Sequence, residues 1–197
     1  MIYNYYELRV GREREAQRAL AEQVYAGGGA GVLGVFAPLL GYASNEALVL
    51  TDERATSDAV LKGSGVAAAE WRRMSPTLRP HQGARPAAGG VYVHNWFTID
   101  AEAFDEFVQL SGAAWPDFEA KFEARIYGLF SVEPQAGETA AGARRLLLIT
   151  RYRDLGEWQK SRDPTTEAMQ IFARRRALTQ MSLARACVLV PPPEAKP

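Results

Sequence analysis

Three polar residues stand out in strands that are otherwise apolar. Glu7 and Arg9 fall in Tyr3-Asn4-Tyr5-Tyr6-Glu7-Leu8-Arg9-Val10, and Asn95 falls in Val91-Tyr92-Val93-His94-Asn95-Trp96-Phe97-Thr98-Ile99. Buried polar groups are normally hydrogen-bonded. In a sheet with no wet face such groups either look into a ligand cavity or satisfy one another. The first reading is a polar patch that orients a small molecule in an aromatic pocket. The second is a structural Glu7–Arg9 ion pair at the sheet end. Alternation along a strand puts Tyr5, Glu7 and Arg9 on one face. With a spacing of 88 between the helices of the two halves, Val93, Asn95 and Phe97 fall on the corresponding face, and Phe97 becomes the aromatic wall beside Asn95.

His94 could act as a general base near neutral pH or bind haem iron, or it could be a satisfied strand histidine. The other histidine, His81, sits in a Pro- and Gly-rich stretch and reads as solvated. One cysteine, Cys187, excludes an intrachain disulfide framework and a multi-cysteine zinc site. It lies on an apolar strand, whereas a reactive thiol needs an electropositive, partly exposed setting. Two histidines are too few for a His-rich metal centre, so neither metal nor cofactor is expected. Gly27-Gly28-Gly29 follows a helix instead of opening one, and Gly63-Ser64-Gly65 lacks the Lys-Ser/Thr ending of a phosphate loop. Arg174-Arg175-Arg176 reads as a solvated helix face.

The elements that must position these residues come in two similar sets. In the first half, strands are expected over Tyr3–Val10, Gly31–Ala37 and Glu46–Thr51, with helices over Arg12–Tyr25 and from Thr56 or Ser57 past Leu61. That second helix is expected to resume over Val66–Met74, before a short edge segment at Pro76–Arg79. In the second half, strands are expected over Val91–Ile99, Arg125–Val132, Leu146–Thr150 and Ala186–Val190. Helices follow Asp100, with Pro116 marking a further helix start, and cover Leu155–Arg162 and Thr165–Leu178; Pro134–Gly142 is a loop tip. Ala30–Ala37 aligns with Ala124–Ser131 at a spacing of 94, sharing a Gly-x-Phe, and Leu48–Thr51 aligns with Leu147–Thr150 at 99. Duplication explains the shared order better than chance likeness of β-prone runs. The expected division is a half at 1–80, a linker at 81–90, a second half at 91–193 and a tail at 194–197.

Each half therefore reads β-α-β-β-α-β, the ferredoxin-like arrangement. One such sheet has helices on one face only, and strands apolar on both faces, such as Leu146-Leu147-Leu148-Ile149, demand cover on the other. The expected fold class is α+β: a tandem ferredoxin-like chain (βαββαβ twice) forming a two-lobed domain of dimeric-α/β-barrel type, with its ligand between the two sheets.

Length and composition agree with an ordinary globular protein. Of 197 residues, 47% are hydrophobic and 23% charged. Lys+Arg and Asp+Glu are both 23, so no basic excess suggests a nucleic-acid partner. No run approaches the roughly 20 apolar residues of a membrane span, and the first residues lack a signal-peptide pattern. A cytoplasmic protein without nucleic-acid or membrane partners is expected.

Tyr6-Glu7-Leu8-Arg9 resembles the opening of NIPSNAP-family domains. Trp158, Ser161-Arg162, Phe172, Arg175-Arg176 and Leu178-Thr179 resemble that family's C-terminal pattern of a Trp, a Ser-Arg pair and an Arg-rich helix. The resemblance implies the dimeric α/β-barrel superfamily, often with the domain in tandem, and allows a homodimer. It adds Trp158 and Arg162 to the candidate ligand-binding residues, with Arg162 or Arg175 able to close on a carboxylate ligand by bidentate pairing. Three function classes follow: a barrel that binds a small, largely apolar molecule and performs cofactor-free chemistry on it, a non-catalytic interaction module, and a haem-linked, monooxygenase-like enzyme.

Overall fold

The computed structural model describes residues 1–13, 15–62, 65–135 and 142–193. Residues 63 and 64, most of the expected loop tip (136–141) and the tail 194–197 lie outside them. The chain divides into two units, one of residues 1–74, 85–89 and 185–197 and the other of residues 75–84 and 90–184.

The first unit contains β1 (Tyr3–Arg9), α1 (Ala16–Gly28), β2 (Val32–Leu40), β3 (Glu46–Asp52), α2 (Ser57–Leu61) and β4 (Ala68–Pro76). The strands are antiparallel in the order β4-β1-β3-β2. Ala186–Val190, the end of β8 (Thr179–Val190), adds a strand beside β2. Tyr6 and Leu8 from β1, with Val10 just after it, pack with Leu20, Ala21 and Val24 of α1, whose spacing makes one apolar stripe. α1 stops at Gly29, where φ is +55°, a conformation that suits glycine.

The second unit contains β5 (Val91–Asp100), α3 (Phe104–Lys121), β6 (Ala124–Val132), β7 (Ala143–Tyr152), α4 (Leu155–Lys160), α5 (Glu167–Ala177) and the start of β8. β7 lies between β5 and β6, with β8 beside β5. Residues 75–84 run beside β6: the Thr77 N–H donates to the Leu129 carbonyl at 2.9 Å, and the Leu129 N–H to the Arg79 carbonyl at 3.1 Å. Val93, Phe97 and Ile99 face Phe107, Trp115 and Phe118 of α3.

Both units thus have the ferredoxin-like order, and the α+β fold class expected from the sequence is the one found. Their strand registers agree in detail. Val35 faces Val49 and Leu129 faces Leu148, at the expected spacings of 94 and 99. A bulge falls between Val32 and Gly34 in one unit and between Ile126 and Gly128 in the other. The shared Gly-x-Phe has a steric reason. A Cβ on Gly34 would stand 3.0 Å from the Phe36 ring, and one on Gly128 would stand 2.9 Å from the Phe130 ring.

Three expectations are corrected. Residues 66–74 are not helical: Ala68–Met74 pair along the whole of β1. Alanine-rich helix propensity is a weak preference that sheet pairing overrides. Pro116 lies inside one continuous α3 instead of opening a second helix. The stripe Phe107, Leu110, Ala114, Trp115 and Phe118 is buried throughout, and that burial outweighs the roughly 3 kcal/mol cost of an interior proline. Finally, the spacing of 88 does not hold for the first strands. Tyr6 faces Val49 and Asn95 faces Leu148, so the spacing is 89 and Tyr6, not Glu7, corresponds to Asn95.

Candidate functional site

α5 is held over the second unit's sheet by its first turn. The Thr166 hydroxyl caps it, accepting from the Met169 N–H at 3.3 Å, and Asp117 of α3 accepts from the Ala168 N–H at 2.9 Å. Phe172 and Arg175 stand four and seven residues beyond Ala168, so the three share one helix face. That face points down: Ala168 is buried, Phe172 packs on the core, and Arg175 is only 8% exposed.

Beneath α5 lies a cavity of about 70 Å³. Asn95 and Phe97 of β5 and Leu148, Thr150 and Tyr152 of β7 form its floor, Ile126 and Phe118 line it from β6 and α3, and Arg162, Arg175 and Arg176 supply its positive charge. Its walls mix aromatic and aliphatic side chains with an equal or larger share of polar ones, Thr179 and Ser182 among them, so it is more polar than a usual small-molecule pocket. Its volume is well below the several hundred Å³ of a drug-sized pocket.

The Arg175 guanidinium centre lies 4.4 Å from the Phe172 ring and 5.1 Å from the rings of both Phe97 and Phe107. Its Nη1 donates to Ser111 Oγ at 3.2 Å, and Ser111 donates on to the Phe107 carbonyl at 2.7 Å. Among the described residues no carboxylate pairs with it. Burial, with the positive charges of Arg162 and Arg176 nearby, lowers its pKa to about 9; it remains a cation at neutral pH. Cation–π contacts offset part of the cost of burying that charge.

Arg162 completes the cavity's rim. Its Nη2 donates to the Tyr152 hydroxyl and to Ser161 Oγ, both at 3.2 Å, while its guanidinium lies 5.3 Å from the Trp158 ring. Burial raises the pKa of Tyr152 despite the pull of Arg162, so its hydroxyl stays protonated at neutral pH.

The structure gathers only part of the expected set. Asn95, Phe97 and Arg162 line the cavity, and Trp158 supports Arg162 from behind. His94 points to the opposite face of β5, where it is fully buried and burial lowers its pKa to about 3. Glu7 and Arg9 belong to the first unit, on the face of β1 away from α1, beside a shallow depression that also includes Glu46 and Glu70. Glu7 pairs with Arg185 at 3.4 Å, not with Arg9, and burial raises the Glu7 pKa. The cavity itself lies between a sheet and its own helices, whereas the sequence reading put the ligand between two sheets. Arg175 was expected on a solvated face and is buried. The spacing 168-172-175 carried the signal for it. Tyr152 and Thr150 could have been found from their alternation with Leu148 along β7.

Among the described residues, no group of three or more His, Cys, Asp or Glu could hold a metal ion, and no helix is long and apolar enough to cross a membrane.

No family model matches the chain, and no curated protein matches it by sequence. Its structure is similar to solved ones along nearly its whole length. A candidate monooxygenase from Fusobacterium nucleatum subsp. nucleatum has a TM-score of 0.63 at 11% identity, covering 96% of this chain and 92% of that one. An anthrone oxidase-like protein has the same TM-score and coverage at 14% identity. A monooxygenase-like protein from Listeria innocua covers 99% of this chain and 96% of its own at 15% identity, with a TM-score of 0.51. At such identities the likeness is one of fold: these are ferredoxin-like proteins of the dimeric α/β-barrel type, and this chain has that fold.

Proposed function

We propose that the second unit binds a small, largely apolar molecule in the cavity beneath α5, and that Asn95, Tyr152 and Arg162 are the polar groups available for cofactor-free chemistry on it. The observation that carries this reading is the convergence of those three side chains on a cavity walled by Phe97, Phe118 and Phe172. The monooxygenase-like neighbours support it at the level of fold. Asn95→Tyr puts into the cavity the residue that fills the corresponding place in the first unit. Native mass spectrometry of the purified protein should find a bound small molecule in the wild type and none in this variant. An empty wild type, or equal loading of both, would refute the reading.

The small volume favours a second reading, a non-catalytic interaction module in which side chains plug most of the space. The haem-linked alternative needs the cavity to widen several-fold and His94 to leave its buried face; a Soret band on haem titration is its test. NIPSNAP kinship, duplication of halves 1–80 and 91–193 about a linker at 81–90, and homodimer formation belong to the same proposal. The spacings of 94 and 99, with the paired bulges, support the duplication.

A further inference from the structure

The observation least explained by packing is Arg175. A guanidinium has five N–H donors, and here one meets Ser111 while the group is held among three phenylalanine rings. A buried cation without a counter-ion is costly, and proteins normally pair it. Arg162, a second cation, reaches the same cavity, and among the described residues it is bonded to hydroxyl groups, those of Tyr152 and Ser161. With Arg176, three guanidinium groups line one small cavity, and they repel one another unless negative charge lies between them. The neutral groups facing them complete the pattern. Asn95 and Thr150 on the floor can donate hydrogen bonds, and Tyr152 stays protonated.

We propose that the cavity is an oxyanion site: its ligand carries one oxyanion on an apolar body and is bound through Arg175 and Arg162. This rests on the small-molecule reading above and names the ligand class. A volume of about 70 Å³ suits a head group of a few atoms rather than a ring system. The ligand therefore enters with its charged end first, leaving its apolar body against Phe172 and Met169, which also line the cavity. A carboxylate and a ring-stabilised phenolate or enolate share this chemistry.

The test is a titration of the whole protein with three probes of similar shape: benzoate, 4-nitrophenol and neutral benzamide. Benzoate should bind roughly 10- to 100-fold more tightly than benzamide, the preference expected of hydrogen bonds to a charged group. Bound 4-nitrophenol should ionise at lower pH than free, read from its visible absorbance. A benzoate preference alone assigns a carboxylate ligand, and a 4-nitrophenol shift alone assigns a ring oxyanion; both outcomes support the site. Arg175→Met should abolish the preference while leaving the melting temperature unchanged or raised, since it removes an unpaired buried charge. Arg162→Met, at an exposed side chain, should reduce the preference by about 10-fold and guards against misfolding of the first variant. Benzamide binding as well as benzoate, with Asn95→Tyr removing both, would leave the pocket reading standing and overturn the oxyanion. Unchanged benzoate affinity in Arg175→Met would overturn it too. No binding of any probe would sink both.

Discussion

The two units share strand order, register and bulges, yet they fill the space between helix and sheet differently. In the first unit that layer is mostly aliphatic: Leu8, Leu20, Val24, Val32, Val35, Val49 and Val60 close over one another beneath α1 and a five-residue α2. In the second it is built from Phe97, Phe107, Trp115, Phe118 and Tyr152 beneath α3 and α5. Aromatic rings prefer edge-to-face or offset arrangements, and here the cavity lies against Phe97, Phe118 and Phe172. One pair of positions concentrates the contrast. Tyr6 reaches into its layer, with its hydroxyl 3.2 Å from Ser57 Oγ, whereas Asn95 stops short and leaves a cavity.

The sharpest way to break this comparison is to remove a ring from the second unit. Phe118 packs 5.4 Å from Phe122, 5.5 Å from Phe172 and 6.1 Å from Tyr152, measured between ring centres. Phe118→Ala should cost about 3–5 kcal/mol in urea unfolding. A loss below about 1 kcal/mol would mean that the aromatic layer is already loose. Next, Tyr6→Asn gives the first unit the second unit's residue. It should cost about 3 kcal/mol by leaving a void in a filled layer, and calorimetry showing a near-neutral change would dissolve the contrast.

A third prediction concerns acid. His94 and Tyr5 occupy corresponding positions, facing Ile149 and Leu50, and both are fully buried. His94 is held neutral with a pKa of about 3, against about 6.5 in an unfolded chain. The unfolded state then binds more protons between those values, so this contribution is fully present above pH 6.5 and is lost as pH falls toward 3. From pH 7 to pH 5 it removes about 2 kcal/mol of stability. The wild type should lose that much more than His94→Gln in paired urea titrations; parallel pH profiles would refute it. Tyr5, whose pKa burial raises well above its ordinary value, adds nothing in that range. The smallest effect is Tyr152→Phe, which takes an acceptor from Arg162 and should cost about 1 kcal/mol while widening the spread of Arg162 conformers in NMR relaxation.

The sequence made six of the eight strands legible, because Val, Leu, Tyr and Phe runs are bounded by glycine and proline, whereas Ala68–Pro76 and the first part of Thr179–Val190 lack such runs. Spacings of 94 and 99 were readable for the same reason: β2–β3 and β6–β7 carry those runs without insertion. The first strands misled by one residue, since the turns into α1 and α3 differ in length and the helix spacing does not transfer to the strand. That slip exchanged faces, which is why Glu7 rather than Tyr6 was set beside Asn95. Ala68–Met74 was misread because its partner, β1, lies some sixty residues away in the chain and leaves no local trace. Arg175 was legible in principle; an arginine triplet reads as surface unless each member is placed on the helix wheel separately.

Residues 75–84 complete the sheet that begins at β5, and residues 186–190 complete the one that begins at β1. Each unit's sheet thus includes residues from outside its main stretch of chain. Cutting between residues 84 and 90 would therefore yield two fragments that each lack their last ladder, and only a mixture of both should recover the full set of backbone hydrogen bonds.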